Sequence, residues 1–173
     1  AYALIQASSK SAPGEQAITQ LMANMNLLQT VLTAPLAQSP ATHDELMTAM
    51  ESLEQALAYE AGDEESNDLL ASADKASRNA LTAEPRNALP HWLQANVAYN
   101  LALREFRKGN PVDAQQQLAA MKKSLTEAVE NRETITVPSL VTEMEADYYL
   151  LVRREPEKAA ERYLQMTQLD QPL

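Results

Sequence analysis

A chain of 173 residues, 45% of them hydrophobic, is long enough for one domain with a real core or for several stacked repeats, and too apolar to be disordered. Its 24 acidic against 14 basic residues leave a net charge of −10, which repels phosphate backbones and argues against a nucleic-acid partner. With no Cys, disulfide frameworks, thiol catalysis and cysteine-based zinc sites are excluded, and with three Gly and one Phe beside abundant Ala, Leu, Gln and Glu, helix is favoured over strand.

No apolar run approaches the roughly 20 residues that span a bilayer, so no direct membrane span is expected. The chain opens Ala1-Tyr2 and closes Gln171-Pro172-Leu173, and reads as an excised piece of a longer protein or a mature form. Residues 1–40 are expected to be an N-terminal helical segment. Residues 2–6 read as the tail of a helix, residues 8–14 as a polar break. From Glu15 the residues Ile18, Leu21, Met22, Met25, Leu28 and Leu32 recur on one amphipathic face, and Pro35 and Pro40 bracket its end.

Residues 41–173 read as a run of helical hairpins. Thr42-His43-Asp44-Glu45 has the Thr-x-x-Glu form of a capping box, and the helix behind it carries Leu46, Met50, Leu53 and Leu57. The acidic run Asp63-Glu64-Glu65-Ser66-Asn67-Asp68 lacks the alternating oxygen ligands and central Gly of a calcium loop. It reads as a solvated turn whose carboxylates favour the dipole of the next helix. That helix presents Leu69, Leu70, Ala73, Ala76, Ala80 and Leu81, and Pro85 ends it.

A new helix is expected to open at Pro90 and stop at Gly109, with Trp92, Ala95, Tyr99, Ala102 and Phe106 on one buried stripe. Asn110-Pro111 starts the next, with Ala114, Leu118, Met121, Leu125, Ala128 and Val129. The β-branched run Thr134-Ile135-Thr136-Val137 before Pro138 reads as an extended connector. A helix over 139–154 follows, with Leu140, Val141, Met144, Tyr148 and Leu151. Pro156 opens the last, with Ala159, Tyr163 and Met166.

The helices therefore come in pairs: 44–60 with 66–82, 90–108 with 111–132, and 139–154 with 156–169. At these residues the chain resembles the tetratricopeptide repeat (TPR) family. Ala159 and Tyr163 match the small and aromatic positions of a second helix. Ala80 and Pro85 match its exit. Trp92, Ala95, Asn96 and Tyr99 resemble the first-helix signature, although Ala95-Asn96 stands where the family has Leu-Gly. The resemblance implies an all-α fold of about seven helices, stacked as an α-solenoid of antiparallel hairpins. The alternative is a bundle of generic hairpins. Stacking matters because one hairpin of about forty residues buries too little apolar surface alone.

His43 and His91 are the only histidines, and neither has metal-ligand spacing. Glu143, Glu145 and Asp147 cluster on one helix, where paired carboxylates could run acid–base chemistry; the expected reading is a solvated face. Of Tyr148 and Tyr149, one is expected in the core and the other at the edge of a groove. No phosphate-cradling loop, nucleophile elbow or dinucleotide fingerprint occurs, so no enzyme activity, cofactor or metal is expected. The candidate contact surface lies on the Trp92 helix. There Asn96, Asn100, Arg104 and Arg107 form a polar, basic stripe flanked by Leu93 and Val97. In the repeat family first helices line the groove that receives extended peptides, so the resemblance implies that this stripe faces another protein or a peptide. The family's carboxylate clamp is not reproduced, since Leu93 and Val97 stand where it has Lys and Asn. The expected function is a non-catalytic scaffold or adaptor within a larger protein or assembly. Homo-oligomerisation through the N-terminal segment, and a helical enzyme with an unrecognised site, are the alternatives.

Overall fold

In the computed structural model, which describes residues 39–58 and 64–169, six α-helices follow one another: α1 (Pro40–Ala58), α2 (Glu64–Ala83), α3 (Ala88–Lys108), α4 (Pro111–Glu130), α5 (Pro138–Tyr148) and α6 (Pro156–Leu169). No strand occurs among the described residues. The expected helix over 15–32, with nearly all of the N-terminal segment, lies outside them, and the described residues hold six α-helices rather than the seven expected.

Apart from α2, each helix described starts where a side chain or a proline deals with the N–H groups that a first turn leaves unpaired. For α1 the cap is Ser39, whose hydroxyl accepts from the Thr42 N–H at 3.2 Å. The expected capping box at Thr42 is thus corrected: Thr42 sits inside the first turn, 1% exposed, with its hydroxyl 2.8 Å from that of Ser39. α3 likewise begins two residues before Pro90. Asn87, in extended conformation, caps it by accepting from the Leu89 N–H at 3.1 Å. Pro90 then falls third in the helix, where its missing N–H still removes no intrahelical bond. α2 opens on Glu64 and Glu65, the expected dipole-matched carboxylates. α4, α5 and α6 each open on proline.

α3 ends as its sequence predicts. Gly109 takes the left-handed conformation (φ 79°, ψ 23°), with Gly109 N–H donating to the Phe106 carbonyl at 3.1 Å and Asn110 N–H to that of Glu105 at 2.9 Å. This doubly bonded reversal turns the chain directly into α4. The connector after α4 is only partly extended: Arg132–Thr134 form a 3₁₀ turn, and Val137 then runs extended into the core. The helix expected over 139–154 is α5 continued by a π-helical turn, Tyr149–Arg153, closed by Arg154 in the left-handed region (φ 57°).

The helices pair as α1/α2, α3/α4 and α5/α6, and successive pairs meet through α1 and α2 on α3 and through α4 on α5. α3 is consequently buried on two sides. Leu93, Val97 and Arg104 share one face; Ala95, Ala98 and Ala102 lie on another. Alanine is what lets helices approach on that second face, and Ala102, Ala114 and Ala128 are fully buried in the α3/α4 hairpin. Polar bonds join the pairs as well. Glu84, at the end of α2, accepts from the Ser39 N–H at 3.1 Å and from Asn87 Nδ2 at 3.1 Å. Thr134 accepts from the first N–H of α3, that of Ala88, at 3.0 Å. His91 has Nε2 3.1 Å from the Pro85 carbonyl, which ties α3 to the loop before it, and its buried Nδ1 lies 3.1 Å from Glu127 of α4 without forming a hydrogen bond.

A methyl group added at Gly109 would meet nothing within 4 Å, so only the backbone resists substitution there. Gly109→Ala is expected to lower stability by about 1–2 kcal/mol, the cost of a left-handed L-residue. Urea unfolding followed by circular dichroism checks this; an unchanged midpoint would show that the turn tolerates another conformation.

Candidate functional site

The stripe predicted on α3 divides into residues that reach the surface and residues that do not. Leu93 and Val97 are 1% and 2% exposed and belong to the core. Arg104 is 6% exposed, so it too is corrected from surface contact to interior strut. Its guanidinium reaches across to α2 and donates to Asn67 Oδ1 at 2.5 Å and to Ser66 Oγ at 2.5 Å. Ser66, completely buried, in turn donates to the Ala56 carbonyl of α1 at 2.8 Å. One arginine thereby fastens the α3/α4 hairpin to both helices of the first. Helical arithmetic explains why the sequence reading erred. At 100° per residue Arg104 falls within about 20° of both Leu93 and Val97, on the face those two bury.

Asn96 and Asn100 are half-buried, and each donates to the carbonyl four residues back, of Trp92 and Asn96, at 2.9 Å. Arg107 is exposed. The outward stripe of α3 is therefore Asn96, Asn100, Leu103 and Arg107, at spacings of four, three and four. Phe106 was expected on the buried stripe with Trp92; it is instead 49% exposed, and Leu103, three residues before it, is 36% exposed. Periodicity gave Phe106 its direction, but it could not show that the neighbouring helices stop covering α3 before its last turn. Across the Gly109 turn, Val112 is 70% exposed. Lys108 lies alongside and pairs with Glu105 at 2.8 Å.

Behind this surface lies a polar cluster in the interior. Asp147 on α5 was expected on a solvated face and is 8% exposed. Trp92 Nε1 donates to its Oδ2 at 3.3 Å, and the Tyr163 hydroxyl of α6 donates to its Oδ1. Burial pushes the Asp147 carboxyl above the usual carboxylate range, against the opposing pull of the bonds from Tyr163 and Trp92. The Tyr163 hydroxyl is raised by burial and by the Asp147 charge, as is that of half-buried Tyr99. The sequence held a signal for this: Asp147 follows Leu140 and Met144 at spacings of four and three, the pattern of a buried stripe. Glu145 stays near the surface and bridges two cations, Arg132 at 3.2 Å and Arg162 at 3.3 Å. Tyr148 and Tyr149 are both half-buried, their rings meeting edge-on at 6.1 Å, and Lys158 lies 5.5 Å over the Tyr149 ring.

A separate open groove of about 530 Å³ runs between α1 and α2, lined by Asp44, Glu45, Thr48, Ser72, Lys75 and Asn79 among others. Asn79 and Glu45 bond across it at 3.0 Å. Among the described residues no three His, Asp or Glu gather as a metal site, and no helix is long and apolar enough to cross a membrane.

No protein-family model, curated protein or solved structure matches this chain.

Arg104→Ala removes charged hydrogen bonds worth about 1.5–3 kcal/mol, and urea unfolding is expected to show a loss of that size. Arg104→Lys is expected to recover less than half of it, because an ammonium cannot fork to two acceptors. A loss under about 0.5 kcal/mol, typical of a surface site, would contradict the interior role.

Proposed function

We propose that this chain is a non-catalytic scaffold, its hairpins stacked as a TPR-like α-solenoid, that binds another protein through the outward stripe of α3. The repeated pairing of helices, and a central helix buried on two sides, support the solenoid reading. The partner reading is carried by one observation: Leu103 and Phe106 remain exposed on a helix whose other faces are packed, beside the exposed cation of Arg107. The chain's one phenylalanine is half-exposed on the same helix that buries its one tryptophan. Aromatic side chains in such positions serve as anchors that a partner desolvates, with arginine beside them taking a carboxylate in two parallel bonds. The surface therefore suits a segment that offers an apolar side chain next to an acidic one.

The test is the double variant Phe106→Glu with Arg107→Glu, with Leu164→Glu on α6, a more exposed apolar position at 61%, as control. A partner captured by the wild-type chain and then purified is titrated calorimetrically against each. The double variant is expected to bind at least about tenfold more weakly, and the control as wild type. Undiminished binding by a folded double variant would remove the last turn of α3, with Phe106 and Arg107, from the interface and overturn the anchor reading. Should light scattering show wild-type self-association that the double variant loses, the partner is a second copy of the chain.

A further inference from the structure

The face of α3 that meets the third hairpin is covered at one end and bare at the other. Trp92 marks its direction, since its indole N–H reaches Asp147 of α5. At about 100° per residue, Tyr99 and Phe106 fall about 20° and about 40° to one side of that direction, and Leu103 about 20° to the other. Exposure climbs along this row: Trp92 is buried, Tyr99 is half-buried, and Leu103 and Phe106 are exposed.

The cause is a difference in length. α3 and α5 run in the same direction from a shared end, where the Ala88 N–H bonds to Thr134 just before α5, and they meet again at Trp92 and Asp147. With a rise of about 1.5 Å per residue, α5 and its π turn climb about 9 Å from Asp147 to Arg153, whereas α3 climbs about 21 Å from Trp92 to Phe106. The third hairpin therefore turns back about 12 Å short of Phe106. Its turn is the floor of a ledge whose wall is the last turns of α3.

Wall and floor each carry an uncommitted cation. Arg107 stands beside Leu103 and Phe106 on the wall, and Arg154 closes the π turn on the floor. Both are exposed, and among the described residues neither forms an ion pair. Carboxylates close to them in the chain are already engaged: Glu105 by Lys108, and Glu155 by Arg153 and Lys158. On a chain of net charge −10, an apolar wall between two such guanidiniums reverses the sign locally. Arg154 also holds a left-handed backbone (φ 57°), which glycine would take without strain and an L-residue takes at a cost.

We propose that this ledge seats an extended acidic segment of a partner protein, with an apolar side chain against Leu103 and Phe106 and one carboxylate on each of Arg107 and Arg154.

This rests on α3 being the partner-binding helix, and adds the third hairpin's turn as the floor of that site. A guanidinium takes a carboxylate through two parallel bonds, so each arginine fixes the segment's direction as well as answering its charge. An extended chain advances about 3.3 Å per residue, so about four residues span the ledge. The segment that fits has two carboxylates about that far apart, with the apolar side chain between them. A basic segment is repelled at both ends, and an uncharged one covers Phe106 while leaving both cations unanswered.

Random peptides displayed on phage are selected on the full chain and counter-selected on Phe106→Glu. The survivors are expected to carry Asp or Glu on both sides of a large apolar residue. One of them, fluorescently labelled, is then titrated by anisotropy. Arg154→Gly removes the cation and suits the left-handed backbone, so the variant folds; it is expected to bind about threefold to tenfold more weakly, and Arg154→Lys within about twofold of wild type. Undiminished binding to Arg154→Gly by a peptide that Phe106→Glu rejects overturns the ledge and leaves α3 as the interface. Peptides that bind wild type and Phe106→Glu alike sink both readings. Survivors that are basic or uncharged overturn the proposal, and so does an empty selection; self-association in light scattering, lost in Phe106→Glu, then identifies the occupant as a second copy of the chain.

Discussion

A two-helix hairpin can cover only one side of each of its helices, and this chain is arranged around that deficit. The central helix, α3, answers it by being covered twice. Its alanines close the gap to α4, while Leu93, Val97 and the stem of Arg104 fill the gap to the first hairpin. The described helices thus bury side chains both within a pair and between successive pairs.

The two junctions are built from different materials. Between the first and second hairpins a buried cation reaches neutral oxygens on α2, and through Ser66 the carbonyl end of α1. Guanidinium charge is permanent, so that junction holds the same way at any pH at which the protein is folded. Between the second and third hairpins the buried group is a carboxyl, whose charge is optional. A chain with a net charge of −10 gains little from one more buried negative charge. Both junctions nevertheless use a buried side chain that bridges three helices or helix ends.

What the sequence disclosed, and what it withheld, follows from the range of the interactions concerned. Helix class, the Gly109 stop and the proline starts of α4, α5 and α6 depend on neighbours within a few residues and were legible, as was the pairing of helices across short turns. The caps at Ser39 and Asn87 were equally local but were passed over in favour of a stronger-looking Thr-x-x-Glu and a proline. The burial of Arg104 and Asp147 depends on partners 37 and 55 residues away in the chain, and charge misled the reading because a charged residue on an apolar face looks like an edge. In both cases the angular position on the helix was correct and the residue type was given too much weight. Phe106 is the converse: an apolar residue placed by periodicity on the buried stripe that its neighbours leave half-exposed.

The second junction and the outward stripe are joined through a single turn of α3. Trp92 sends its indole N–H to Asp147, while its backbone carbonyl receives the side chain of Asn96, the first residue of the stripe. Asn100 then bonds to the carbonyl of Asn96 in the same way. The two asparagines thus spend a side-chain donor on their own helix, which holds both amides close to the helix surface rather than reaching out from it. The residues of α3 that extend furthest from the packed hairpins are therefore those of its last turns, Leu103, Phe106 and Arg107.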